Sequence, residues 1–260
     1  MDSLGLLLSS IDQDSLRIDL PDDWGQGRAS YGGLVAALAL RALKVSEAEL
    51  PPLRTVNVAF VASATGSVTF RPRLLRRGRY VTQMDVEVVD ASGALVTRLD
   101  AVFGAARTSA LGVDAPKPET IGHPEDYIMV PEIKGITPRF LGQFDMRLAA
   151  GAPPFTGQTD PTSKAWVRLK ESSPLDEERL LCIADVWWSP ALALAKAPVP
   201  ASSIRWSAHF TAAVPQGFDD YLWAESHCIR SSDGYVTQVA RFWTGDTLAV
   251  WSEQSQAVFG

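Results

Sequence analysis

The chain has 260 residues, of which 46% are hydrophobic and 21% charged, with a formal net charge of -6. Such a composition suits a globular protein with a sizeable core and excludes a fibrous or generally disordered chain. The acidic balance gives no general attraction to nucleic acid or to anionic membranes, so neither is an expected partner.

The opening residues carry Asp2, Asp12 and Asp14 and no basic start followed by a long apolar run. No secretory leader is expected, and the expected location is cytoplasmic. Ser30-Tyr31-Gly32-Gly33 leads into the Ala/Leu-rich run 34–43, which predicts a helix apolar on nearly every side. That run is too short to span a bilayer. A helix of this kind needs a sheet to bury it. Strand-like sequence comes next at 55–62 and 67–76. Then Tyr80, Thr82, Met84, Val86 and Val88 alternate with a more polar set, predicting a strand with one apolar face. Asp90-Ala91-Ser92-Gly93 predicts a hairpin connection into 94–103.

The proline-bearing interval from Ala110 to Pro138 is poorly patterned and reads as a connection laid over the surface, with 110–136 as the linker between two halves. Strands are predicted at 139–148 and 164–170, with a loop at 151–161 between them. A second helix is predicted at 176–185, its acidic first turn matched to the positive end of a helix, with Pro190 interrupting the Ala/Leu-rich segment beyond it. Strands at 203–212 and 221–229 precede a last hairpin, 235–243 and 247–259, turning at Thr244-Gly245-Asp246.

Gly78-Arg79-Tyr80-Val81-Thr82-Gln83 is echoed by Asp233-Gly234-Tyr235-Val236-Thr237-Gln238, and Ala101-Val102-Phe103-Gly104 by Ala257-Val258-Phe259-Gly260. Asn57-Val58-Ala59-Phe60 resembles Ser207-Ala208-His209-Phe210. Three matches in the same order argue for a duplication. The expected architecture is α+β, with repeats at 1–109 and 137–260. In repeat register Thr55 corresponds to Arg205 and Arg98 to Gln254, so the halves are alike in form and unequal in chemistry.

No nucleophile elbow, phosphate-binding loop or His-Glu-x-x-His motif is present. Three histidines and two unpaired cysteines, Cys182 and Cys228, give no metal-site pattern, so no metal or other cofactor is expected. Gly32 and Gly33 fit either of two uses: close approach of backbone N–H groups to a ligand carbonyl, or tight helix–sheet packing. Asp185, set among Cys182, Ile183, Ala184, Val186, Trp187 and Trp188, fits either a buried general base or a helix-end hydrogen-bond acceptor. Gln254 can orient water through its amide, and His227 has the chemistry for proton transfer. The tryptophans of the second half (Trp187, Trp188, Trp206, Trp223, Trp243 and Trp251) suit either an acyl channel or plain core packing.

Tyr31-Gly32-Gly33 before the apolar helix, Leu181-Cys182-Ile183-Ala184-Asp185, and the series Gly234-Tyr235…Gly245…Leu248…Gln254 together resemble the acyl-CoA thioesterase family with a double-hotdog fold, in its thioesterase-II-like branch. The resemblance covers nearly the whole chain. It implies two hotdog repeats, each a long helix wrapped by an antiparallel sheet, and hydrolysis of acyl-CoA by activated water without a metal. It also implies further association of such chains through exposed sheet surfaces, that is, a homo-oligomer. Family members use an aspartate, a hydroxyl residue and a glutamine. The glutamine carries over to Gln254, and the hydroxyl position falls at or beside His227, making Ser226 its candidate. Aligning 203–206 with the strand after the second helix puts Arg205 at the family acid. Arginine cannot be a general base, so Arg205 is assigned to substrate binding with Gly32, Gly33 and Ser226. Asp185 or His227 is left to activate water. The alternatives are an acyl-thioester-binding protein without turnover, or a hotdog enoyl-CoA hydratase or dehydratase.

Overall fold

A computed structural model describes residues 2–119, 122–218 and 220–259; Gly260, the last residue of the second repeated tetrad, lies outside them. A short helix α1 (Leu4–Ser9), strand β1 (Arg17–Asp19) and a small ribbon of β2 (Gly25–Gln26) and β3 (Ala29–Ser30) lead into the long helix α2 (Gly32–Ser46). Strands β4 (Leu53–Phe60), β5 (Ser67–Arg77), β6 (Val81–Asp90) and β7 (Leu95–Gly104) complete the first half. The second half contains β8 (Ile128–Met129), β9 (Phe144–Gly151), β10 (Thr162–Leu169), helix α3 (Glu177–Ile183), β11 (Ala201–Phe210), β12 (Leu222–Ser232), β13 (Tyr235–Thr244) and β14 (Thr247–Val258).

Twelve of these strands form one antiparallel sheet in the order β1-β5-β6-β7-β4-β11-β14-β13-β12-β10-β9-β8. Reading outward from the centre, β4-β7-β6-β5 mirrors β11-β14-β13-β12. The two halves meet at β4 and β11, where Asn57 lies opposite Ser207. These are the residues equated by the sequence repeat, and a twofold relation brings equivalent residues together at its axis. The Ser207 hydroxyl donates to Asn57 Oδ1 at 2.8 Å across that axis. Bulges recur as well: Leu53/Thr55 in β4 matches Ser203/Arg205 in β11, and Leu74/Arg76 in β5 matches Cys228/Arg230 in β12. The duplication is thus visible in backbone irregularities as well as in side chains.

Helix α2 is buried from Gly33 to Leu43, with only Arg41 half-buried among them, because it lies between the sheet and other helices. Leu34, Leu38, Leu40 and Leu43 are fully buried, and the helix packs on β5, β6 and β7 with α1 and α3 beside it. Its second glycine permits the close approach to α3. A Cβ on Gly33 would stand 2.5 Å from the Tyr31 hydroxyl and 2.7 Å from the Cys182 carbonyl oxygen. The Tyr31 hydroxyl donates to that carbonyl at 2.6 Å, and its ring stacks on Phe140.

The sequence-based strand at 139–148 is corrected at its start. Arg139–Gln143 forms a 3-10 turn, and the strand begins only at Phe144. Pro138 opens the turn, and the turn carries Phe140 inward to meet Tyr31, which an extended chain would not do. The interval after Gly104 crosses the outer face of the second half of the sheet. There the Trp243 indole donates to the Pro116 carbonyl, over a small cluster of Trp223, Trp243 and Leu248 separate from the main core. No helix among the described residues is long and apolar enough to cross a membrane.

Candidate active site

Helix α2 begins without a side-chain cap of its own, and no acidic residue lies in its first turn. Its cap comes from the other half of the chain. Helix α3 ends at Ile183, the chain turns through Ala184, and Asp185 emerges opposite the first turn of α2, where its carboxylate accepts the Gly33 N–H. An anion placed there meets unpaired donors and the positive end of the helix dipole. The approach requires glycine at position 32 too: a Cβ there would sit 2.8 Å from Asp185 Oδ2 and 3.0 Å from the Phe60 ring. Neither glycine has a positive φ, so close contact, not backbone conformation, accounts for both.

The second partner of Asp185 is Gln254, whose Nε2 donates to Oδ1 at 2.8 Å. Gln254 Oε1 in turn accepts from Gln238 Nε2 at 2.8 Å and from Gln256 Nε2 at 2.7 Å. Burial pushes the Asp185 carboxyl up to about 7, against the opposing pull of the Gln254 and Gly33 hydrogen bonds. Desolvation of the charge outweighs two good donors, which leaves a carboxylate able to take up a proton near neutral pH.

Asp185 is half-buried on the wall of a cavity of about 390 Å³ that lies between the two halves of the chain. Gly32, Val35 and Phe60 line it from the first half; Trp187, Trp188, Ser203, Gln254 and Gln256 line it from the second. A far smaller cavity, about 10 Å³, lies behind Asp185 and is lined by Trp206, Ser226, Gln238 and Ser252 among others.

The residues singled out from sequence separate here. Asp185, Gln254 and Gly32 meet at the large cavity, and Gly33 supports Asp185 from beneath. The Gly33 N–H expected to polarise a ligand carbonyl is instead directed at the Asp185 carboxylate. Ser226 is buried and lines only the small cavity. Arg205 and His227 line neither cavity. Along β12 the inward residues are Ala224 and Ser226, so His227 belongs to the outer face, on the side where Lys164 holds the Glu119 carboxyl below its usual value. Arg205 is exposed on β11, on the face opposite buried Trp206. Trp187 and Trp188 stack at the cavity, whereas Trp223 and Trp243 belong to the outer cluster.

Sequence reasoning missed Ser203, which lines the cavity beside Gln254 and Gln256. The β11 bulge brings it there: Ser203 lies opposite Gln256 and Trp206 opposite Gln254, all facing inward. Gln238 and Gln256 were also missed. Their signal was present as three glutamines at alternating positions of a hairpin, buried where polar residues are rare. Among the described residues, no group of three or more His, Cys, Asp and Glu is placed to hold a metal ion.

A continuous sheet of two mirrored repeats, with α2 packed on the strands of the first and α3 lying against α2 and β10, and a large cavity lined by both halves define a double-hotdog protein. The profile described as the acyl-CoA thioesterase N-terminal domain matches residues 20–104, and that described as the acyl-CoA thioesterase C-terminal domain matches residues 121–258. The second match alone spans more than half of the chain, and the chain belongs to the acyl-CoA thioesterase family. The fold is shared with a conserved hot dog fold protein from Alicyclobacillus acidocaldarius, at TM-score 0.85 and 22% identity over 94% of this chain and 92% of that one. It is shared too with the tesB protein of Mycobacterium avium subs paratuberculosis, at 0.79 and 17% over 100% of both chains. An acyl-CoA thioesterase II from Mycobacterium marinum matches at 0.76 and 16% over 99% of both. No curated protein sequence matches the chain.

Proposed function

We propose that this acyl-CoA thioesterase hydrolyses its substrate with Asp185 as general base, in the cavity between the two repeats. The observation that carries the reading is the Asp185–Gln254 pair, at 2.8 Å, on a cavity wall with the carboxyl pushed up to about 7. A water molecule held by Asp185 and the Gln254 amide attacks the thioester carbon as its proton passes to Asp185. The carbonyl oxygen becomes an oxyanion, the C–S bond breaks, and the proton on Asp185 passes to the departing CoA sulfur. The Ser203 hydroxyl, on the same wall, is assigned to holding the water or the oxyanion. Gly32 shapes the wall, and Gly33 supports the base. Ser226 is assigned to packing behind Asp185, and neither Arg205 nor His227 is assigned a role in the bond-breaking step.

We further propose a cytoplasmic enzyme of lipid metabolism that associates as a homo-oligomer, with repeats at 1–109 and 137–260 joined by 110–136. Support for the division comes from the contact of Pro116 with Trp243, which lays the start of that linker over the second repeat.

The test is thiol release from a panel of short, medium and aromatic acyl-CoA esters, with wild type and Asp185→Asn compared. Wild type is expected to release CoA from at least one ester, and Asp185→Asn to lose about 100-fold or more in kcat. Undiminished turnover by Asp185→Asn would remove Asp185 as base. Absence of release across the panel would contradict hydrolysis itself.

A further inference from the structure

Gln238, Gln254 and Gln256 are 6%, 6% and 8% exposed, so all three amides have left water. Gln238 stands directly opposite Gln254 in the β13–β14 pairing, and Gln256 is two residues along β14 on the same inward face. An ionised Asp185 can only accept, so Gln254 must turn its NH2 group towards it. Its Oε1 then points away and receives Nε2 donors from both neighbours, at 2.8 and 2.7 Å. In consequence Gln238 Oε1 and Gln256 Oε1 are each left buried without a hydrogen-bond partner. Two orphaned acceptors are unfavourable, and the arrangement that creates them is the one that fixes Gln254.

We propose that Gln238 and Gln256 are positioning residues: together they lock the Gln254 amide with its NH2 group towards Asp185 and so hold the base in its ionised, water-activating form. A free Gln254 has two orientations. One donates to the carboxylate; the flipped one accepts a hydrogen bond from the neutral acid. The two donors aimed at Oε1 favour the first, because a flip of Gln254 alone would oppose NH2 groups to NH2 groups.

Asp185 has few other influences to compete with this one. From the start of α2 it is faced by Tyr31, and from α3 by Cys182; burial raises the pKa of both groups well above the ordinary value and keeps them neutral. Phe60 adds an apolar ring at the end of β4. Arg205 of β11 and Glu253 of β14 are exposed on the opposite face, and Glu225 and His227 of β12 lie on the outer side. The glutamine set is therefore the principal polar control on this carboxyl.

The inference rests on Asp185 as base. The experiment is the pH profile of kcat and kcat/KM for wild type, Gln238→Met, Gln256→Met and Gln238→Glu, with thermal melts of each. Methionine keeps the volume and removes the donor; glutamate opposes an acceptor to Gln254 Oε1. The expected results are an acid limb moved up by about 0.5 to 1 unit in each methionine variant, kcat lowered about threefold to tenfold at its plateau with KM little changed, and a larger loss for Gln238→Glu. Folded methionine variants whose acid limb coincides with wild type would overturn the proposal while leaving Asp185 as base. Failure of the Asp185 reading would show instead as Asp185→Asn retaining full kcat. Should a methionine variant not fold, asparagine at the same position keeps an amide with shorter reach, and the same upward displacement is expected.

Discussion

Asp185 carries two opposed contributions that differ in size. Hydrogen bonds from Gln254 and the Gly33 N–H favour its charged form, while loss of water disfavours it more and sets the carboxyl at about 7. For the rate, the sign is direct: with Asp185 proposed as base, kcat/KM is expected to rise with pH through about 7 and level off beyond. For stability the sign is reversed. A carboxyl that ionises near 3.8 when unfolded and near 7 when folded contributes stability below pH 3.8 that is lost as pH rises through about 7. At about 1.4 kcal/mol per pKa unit the loss has a ceiling of about 4 kcal/mol, reduced because the cavity admits water. Asp185→Asn is therefore expected to gain stability relative to wild type between pH 5 and pH 8. Denaturant melts at the two values check this; a difference that stays constant with pH would contradict it.

At the scale of elements, the two glycines before α2 do different work. Gly33→Ala would drive a methyl group into the Tyr31 hydroxyl and the Cys182 carbonyl, both held by the bond between them, and is expected to destabilise by about 1–3 kcal/mol. Gly32→Ala meets the Asp185 carboxylate and the Phe60 ring, and is expected to reduce kcat more than it lowers Tm. Melts and initial rates on both variants distinguish the two effects. The β11 bulge explains what remained illegible in the sequence. Strict alternation from inward-facing Trp206 makes Ser203 an outward residue, and one extra residue in the strand reverses that. Alternation along β12 similarly puts Ser226 and His227 on opposite faces. Which face was inner could not be read, since the outer one also buries Trp223 and Glu225 beneath the crossing linker. The helices, hairpins and repeat were legible because periodicity and turn chemistry are local. The pairing of Asp185 with Gln254 across 69 residues is not local, and Gln254 is named through the family resemblance and not through periodicity.

Across the whole molecule, the repeats differ most where their helices meet. At one end of α2, Gly32 and Gly33 receive Asp185 at the open cavity. At the other, Lys44 is bound by Glu178 at 2.8 Å and Glu177 at 3.2 Å, and Glu177 also accepts the Leu53 N–H. One end presents a carboxylate to the cavity; the other is closed by an ion pair. Lys44→Met leaves Glu178, only 4% exposed, without its cation, and is expected to lower stability by about 2 kcal/mol while leaving kcat unchanged. A parallel loss of kcat would show that the two ends are not independent. In the proposed mechanism a carboxyl contributed by one repeat and seated on the helix of the other activates the attacking water. The most direct measurement of it is the pH dependence of kcat/KM for acyl-CoA hydrolysis by the wild-type chain. A single acid limb with a midpoint near 7 is expected; activity that stays flat down to pH 5 would contradict Asp185 as the base.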